Sequence, residues 1–285
     1  MTEKRISDQL VFAAYSVSGA VGSNAFRRCL SHSEAIAHDI GAKPGIIEGE
    51  FKRRPKGLRE NHIYQLPSHR PRFTQEIEAG NVTYLNIKEL SSVGGYVASD
   101  WRFYATLGLC ETTSGSYHVV HSLGLALGAG GIGASVALVD FCDQCCVETR
   151  GLMEPQYGLA VIMPKKFLPG GYVIGVGGEG PDELVMDATA WMDLACECPR
   201  RLRNVFGYNI LGAPHLDIPV GEKRLADWIR ASKDRGRIDD LGGGLFLWTF
   251  QEGDGTDEFL QWNYPPVVAV REELKRHQVF LWQRE

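Results

Sequence analysis

Apolar and polar positions alternate along several stretches of this chain, and that periodicity predicts most of its elements. Leu10 to Ser18 reads as a strand. Ser23 and Asn24 stand where a helix cap belongs; Phe26, Leu30, Ala37 and Ile40 mark one helical face, and Gly41 ends it. Val82 to Ile87 alternates as a half-buried strand does, and Phe103 to Cys110 is a second strand candidate. Tyr117 to Leu127 carries small and aliphatic residues at helical spacing, then glycines from Gly128 to Gly133 break it. The β-branched and aliphatic run Ala134 to Phe141 predicts a buried strand, and Tyr172 to Val176 a short one. Asp182 to Cys196 suits a helix, with Pro181 and Asp182 at its start.

The last third, from Asn204, begins like a strand and passes into a helix through Leu225-Ala-Asp-Trp-Ile229. A triple-glycine turn and a strand follow, then an acidic loop, and Pro265-Pro266 introduces a last helix. Residues 43–72 have another texture: four prolines, eight Lys or Arg against three Glu, and poor periodicity. That pattern predicts a long basic loop or arm. Strands and helices mix without strict alternation, so the expected class is α+β, with mixed or antiparallel sheets and helices packed on one face. One domain over 1–285 is expected, with two related subdomains (about 1–150 and 151–285) as the alternative division.

Composition adds bounds. At 285 residues, 44% hydrophobic and 23% charged, the chain can bury a sizeable core. Its net charge of −5 argues against a general nucleic-acid binder and fits a partner with a basic surface. Lys4 and Arg5 precede an apolar stretch as in a leader, but Asp8 and Gln9 interrupt it. No run of about 18 apolar residues exists, so no membrane span is expected. Seven cysteines at irregular spacing do not suggest a disulfide framework, and a cytoplasmic location is the simpler reading.

Candidate chemistry is sparse. Gly128-Ala-Gly130-Gly131-Ile-Gly133 matches a dinucleotide fingerprint in letters, but the predicted helix before it and strand after it reverse the order that chemistry needs. Cys142, Cys145 and Cys146 with Cys196 and Cys198 offer a zinc half-site and a weak second half, without a histidine at short spacing. Neither a metal nor a cofactor is therefore expected. His118 and His121 could share a helix face. His215, near Asp217, is the best single catalytic candidate and would serve a hydrolase or other enzyme of unknown substrate. Asp239, Asp240, Glu252, Asp254, Asp257 and Glu258 are the densest acidic positions. With Trp262 as an exposed aromatic anchor, they form the expected partner-binding surface.

The C-terminal stretch resembles bacterial toxin-immunity proteins, in particular the type VI secretion immunity and immunity-protein-52-like group. The resemblance lies in NVFGYNIL from Asn204, HLDIPVGEKRLADWI from His215, IDDLGGGLFLWTF from Ile238 and NYPPVVAV from Asn263. It covers roughly the last 170 residues and fades before Val82. It implies a cytoplasmic α+β protein that binds and blocks one cognate toxin. It carries over no catalytic residues and no contact residues. A scaffold subunit of a larger assembly is a further alternative.

Overall fold

The computed structural model describes residues 8–16, 21–60, 62–90, 101–111, 117–127, 137–164, 172–173, 175, 181–251 and 257–283. In chain order they form β1 (Asp8–Ser16), α1 (Ser23–Asp39), β2 (Ile46–Phe51), β3 (Tyr64–Gln65), α2 (Leu66–Glu78), β4 (Val82–Leu90), β5 (Trp101–Glu111) and β6 (Tyr117–Ala126). Then come α3 (Leu138–Leu152), β7 (Tyr157–Pro164), α4 (Asp182–Leu194), β8 (Tyr208–Gly212) and the single turn α5 (Ala213–Leu216). The chain continues with β9 (Pro219–Val220), β10 (Lys223–Arg224), α6 (Leu225–Arg230), β11 (Arg237–Gly242), β12 (Leu245–Thr249) and α7 (Pro265–Lys275).

Ten strands join one sheet in the order β11-β12-β8-β7-β1-β6-β5-β4-β2-β3, and β9 pairs with β10 separately. The paired strands are antiparallel, and the class is α+β as expected. β1 is central, and every residue from Gln9 to Ser16 is buried. A strand covered on both faces reads as a nearly continuous apolar run, which is how Leu10–Tyr15 reads.

Register assigns each side chain to a face, because successive residues in a strand point to opposite sides. One face carries Gly49, Leu85, Leu107, His121 and Ala14 in a single row. α1, α2 and α3 lie on this face: a side chain at Gly49 would strike Phe73 of α2, and His121 bonds Thr149 of α3. The other face carries the row Trp248, Asn209, Leu159, Ala13, Ser122, Thr106, Asn86 and Glu48. Over its β1 and β7 portion lies α4, whose Trp191 ring is 4.5 Å from that of Tyr15.

Several local expectations are corrected. Tyr117–Ala126 is a strand and no helix. Its small residues serve cross-strand packing, since a side chain at Gly124 would collide with the Tyr104 ring on β5. His118 and His121, three apart, therefore face opposite sides of the sheet. The expected strand ending at Phe141 is, from Leu138, the start of α3. Leu138, Phe141, Cys142, Cys145, Cys146, Thr149 and Leu152 are buried at helical spacing, a period visible only when the cysteines count as apolar.

The glycines at 128–133 lie outside the described residues, but a strand precedes them and a helix follows, the reverse of the expected order. β6 nevertheless runs antiparallel to both its neighbours, unlike a dinucleotide-binding βαβ unit. The basic arm at 43–72 holds β2, β3 and the first turns of α2, with irregular chain between. Pro44 and Pro55 flank β2, and Pro67 sits in the first turn of α2, so these prolines mark boundaries of order. Tyr172 and Val173 are helical where a strand was expected. Gly22, and neither Ser23 nor Asn24, holds the cap position of α1.

Candidate functional site

The expected acidic surface divides into two places. β11 is the sheet's edge strand, and Asp239 and Asp240 are exposed on it. Arg237 Nε lies 3.0 Å from Asp239, and the Asp240 carboxylate accepts the Gly242 N–H at 2.7 Å. Gly242, Gly243 and Gly244 close the hairpin with φ of 77°, 68° and 78°, a left-handed run only glycine adopts readily. Arg150, from the end of α3, donates to the Leu241 carbonyl at 2.8 Å. Charged residues on an edge also discourage unwanted strand pairing.

The second place lies three strands away, where Gln261 bridges Ile162 of β7. Asp257 is committed here to holding a helix end, since its carboxylate accepts backbone hydrogen bonds from Leu138 and Val139 and so caps α3. Partial burial raises its carboxyl, and these bonds work in the opposite direction. Glu258 is exposed beside it. Trp262, expected at an open surface, is half-buried and packed against the core; its backbone N–H donates to the Ile162 carbonyl at 3.0 Å. Glu252 and Asp254 lie outside the described residues.

The catalytic candidates do not assemble. His215 is fully buried in the turn α5, with Nδ1 3.3 Å from the Gly212 carbonyl and Nε2 3.8 Å from Cys198 Sγ. Burial lowers its pKa to about 4, so the ring is neutral at pH 7. Asp217 is exposed and pairs with Arg224 at 3.3 Å. His121 is held by Thr149 Oγ1 at 2.7 Å and is lowered by burial to about 3. Thr149 donates to the Cys145 carbonyl, so His121 Nδ1 must donate to Thr149. Cys142, Cys145 and Cys146 line the buried side of α3, and desolvation raises all three thiols. Among the described residues no three His, Cys, Asp or Glu side chains converge as a metal site would require.

Two constellations carried no warning in the sequence. The first is a buried polar knot under α4. Arg203 donates through Nε to both oxygens of Asp187 at 3.2 Å and through Nη1 to Tyr15 Oη at 2.6 Å. Its remaining bonds go to the Val173 and Tyr172 carbonyls at 3.1 and 2.5 Å, and Tyr172 Oη donates to Asp187. The guanidinium also lies over the Tyr172 and Trp191 rings at 4.4 and 4.8 Å. Burial pushes the Asp187 carboxyl up, against the opposing pull of Arg203.

The second lies on the same sheet face, across β2, β4, β5 and β6. Glu48, Asn86, Thr106 and Ser122 stand in one register row, and Glu50, Tyr84 and Gly108 in the next. The Tyr84 ring lies over Gly108, and the Tyr104 ring lies over Gly124. Lys88 Nζ donates to both Glu48 oxygens at 3.0 and 3.2 Å, and Asn86 Nδ2 meets Glu48 at 3.4 Å. Asn86 is only 6% exposed, and its Oδ1 has no hydrogen-bond partner among the described residues. Glu50 is half-buried. Burial and the like charge of Glu60 raise its carboxyl.

The fold thus defines a class: a wide antiparallel sheet with helices on both faces and no assembled catalytic set among the described residues. No family model matches the sequence, and no curated protein matches it. Among solved structures the chain is similar to the Pseudomonas aeruginosa T6SS protein PA0821, at 12% identity and a TM-score of 0.54, over 96% of this chain and 73% of that one. At that identity the likeness is one of fold.

Proposed function

We propose that this protein is a cytoplasmic immunity protein of a type VI secretion toxin system, which binds and neutralises one cognate toxin without catalysing a reaction. The observation that carries the reading is the likeness of fold, over almost the whole chain, to a protein described as belonging to that system. The C-terminal resemblance to immunity proteins points the same way. The partner offers a basic surface, and the exposed acids Asp239, Asp240 and Glu258, with Glu252 and Asp254, are its proposed contacts. Charge of this kind speeds encounter and excludes wrong partners. The competing hydrolase reading loses its best pair, since His215 is buried with Cys198 and Asp217 points to Arg224.

Co-expression with the product of the adjacent gene tests the proposal. Restored growth of cells that the product alone kills, with recovery of a stoichiometric complex, is the expected result. Continued killing despite soluble expression of both chains would overturn it.

A further inference from the structure

β11 is an edge of the ten-stranded sheet, and Arg237, Asp239 and Asp240 are exposed along it. The hydrogen-bond pattern shows which of its backbone groups face outwards. Ala213 donates to the Gly244 carbonyl and Phe250 to that of Gly207, so Gly244, Phe246, Trp248 and Phe250 turn their backbone groups towards β8. Leu245, Leu247 and Thr249 therefore bond the other neighbour, β11, at Gly242, Asp239 and Arg237. The N–H and C=O groups of Ile238 and Asp240 are left pointing away from the sheet, and none of the described residues hydrogen-bonds them there. Side chains alternate in step. Arg237 and Asp239 share one face, Ile238 and Asp240 the other. Arg237 and Asp239 touch at 3.0 Å, yet their side chains stay 60% and 50% exposed.

A two-fold axis would lay this edge antiparallel to its own copy. Only outward residues can exchange backbone bonds, so Ile238 must face either Asp240 or Ile238 of the second copy. The first register sets Asp239 against Asp239, and like charges directly opposite are unfavourable. The second sets Arg237 against Asp239 at both ends, with Ile238 on the axis. We propose that this protein forms a homodimer through β11 in that second register. The charges that deter foreign strands are here their own complement. Each Arg237 lies between two carboxylates, its own Asp239 and Asp239 of the second copy, so four exposed charges become one network. Asp240 falls opposite Gly236, which has no side chain, and stays open to the basic partner proposed above. The dimer itself does not depend on that function. The ladder is short, so association is weak and follows concentration.

Sedimentation equilibrium of the purified full chain tests this, with Arg237→Asp, Asp239→Arg and their equimolar mixture. The wild type shifts from monomer to dimer mass as its concentration rises. Each single reversal enters the interface twice and sets like charges opposite one another, so association weakens about ten-fold or more. Mixing the two variants restores the dimer, because every acid again meets a base, and that recovery shows both to be folded. Exchange of the Ile238 amide slows as the dimer fills. A wild type that stays monomeric up to about 1 mM overturns the proposal. So does a dimer untouched by either reversal, a mixture no more dimeric than its components, or an Ile238 amide whose exchange ignores concentration. Neutralisation of a toxin by a strictly monomeric chain would sink the dimer and leave the immunity reading standing.

Discussion

Two parts of one sheet face handle buried polar groups in opposite ways. Under α4, Arg203 and Asp187 are completely enclosed, and the guanidinium finds a carboxylate, a phenol and two carbonyls. Across β2, β4 and β5, Asn86 is almost as deeply buried, yet its carbonyl oxygen has no donor among the described residues. The register row that carries Tyr15 of the knot runs through Val120 and Gly108 to Tyr84 and Glu50, next to the row of Asn86 and Glu48. A satisfied network ties elements together and specifies a unique packing. An unsatisfied acceptor carries an energetic deficit that the rest of the fold has to offset.

The sharpest way to break this comparison is Arg203→Met. It leaves Asp187 as a lone buried carboxylate, and removing one partner of a buried pair costs about 3–5 kcal/mol. Chemical denaturation will show that loss. The double change Arg203→Met with Asp187→Leu recovers much of it, because no charge remains unpaired. A single-variant loss below about 1 kcal/mol would mean the knot is not what secures α4 to the sheet.

Gly124→Ala probes the other region. The added methyl displaces the Tyr104 ring from its place over β6 and costs about 1–3 kcal/mol as overpacking, with a shifted Tyr104 ring spectrum. Asp257→Ala removes the cap of α3 and costs about 1 kcal/mol in the same denaturation assay. For that reason a charge reversal at position 257 cannot report on a partner contact. Reversal at Glu258 and at Asp254 has to carry that question.

The smallest effect is the most diagnostic. Glu50→Gln raises the melting temperature of the free protein, because the charged carboxylate is disfavoured in the folded state. The sign follows from linkage. A carboxyl whose pKa is raised on folding binds its proton more tightly in the native chain, so the wild type loses stability as pH rises through that value. The advantage of Gln is therefore absent in acid and grows as pH rises above the ordinary glutamate range, to a plateau once the folded-state carboxyl is ionised. Melting curves from acid to neutral pH check it. No difference at neutral pH would show that Glu50 is already satisfied.

Local patterning was legible where one signal dominated. β1, β4, β5, α1 and α4 fall where periodicity placed them. β6 and α3 were exchanged with each other's class, for a definable reason. Ser122 and Gly124 look like helix-packing residues until Tyr104 from the next strand is seen to need their space, and the helical stripe of α3 depends on reading its cysteines as apolar. In the basic stretch 43–72, charge and proline content masked the short alternation of Ile47 and Phe51 with Glu48 and Glu50. Of the expected contact residues, Asp239 and Asp240 are exposed on an edge strand, whereas Asp257 is occupied as a cap and Trp262 is half-buried.

By itself the sequence determined the α+β class, the position of the first strand along the chain and the scarcity of catalytic motifs, because these depend on spacing along the chain. Only the tertiary structure decided that Arg203 meets Asp187 and Tyr15, 188 positions away along the chain in the latter case. It alone set Glu48, Asn86, Thr106 and Ser122 in one row. Both depend on strand register and on which face a helix covers, and a shift of one residue would have turned every one of those side chains to the opposite side.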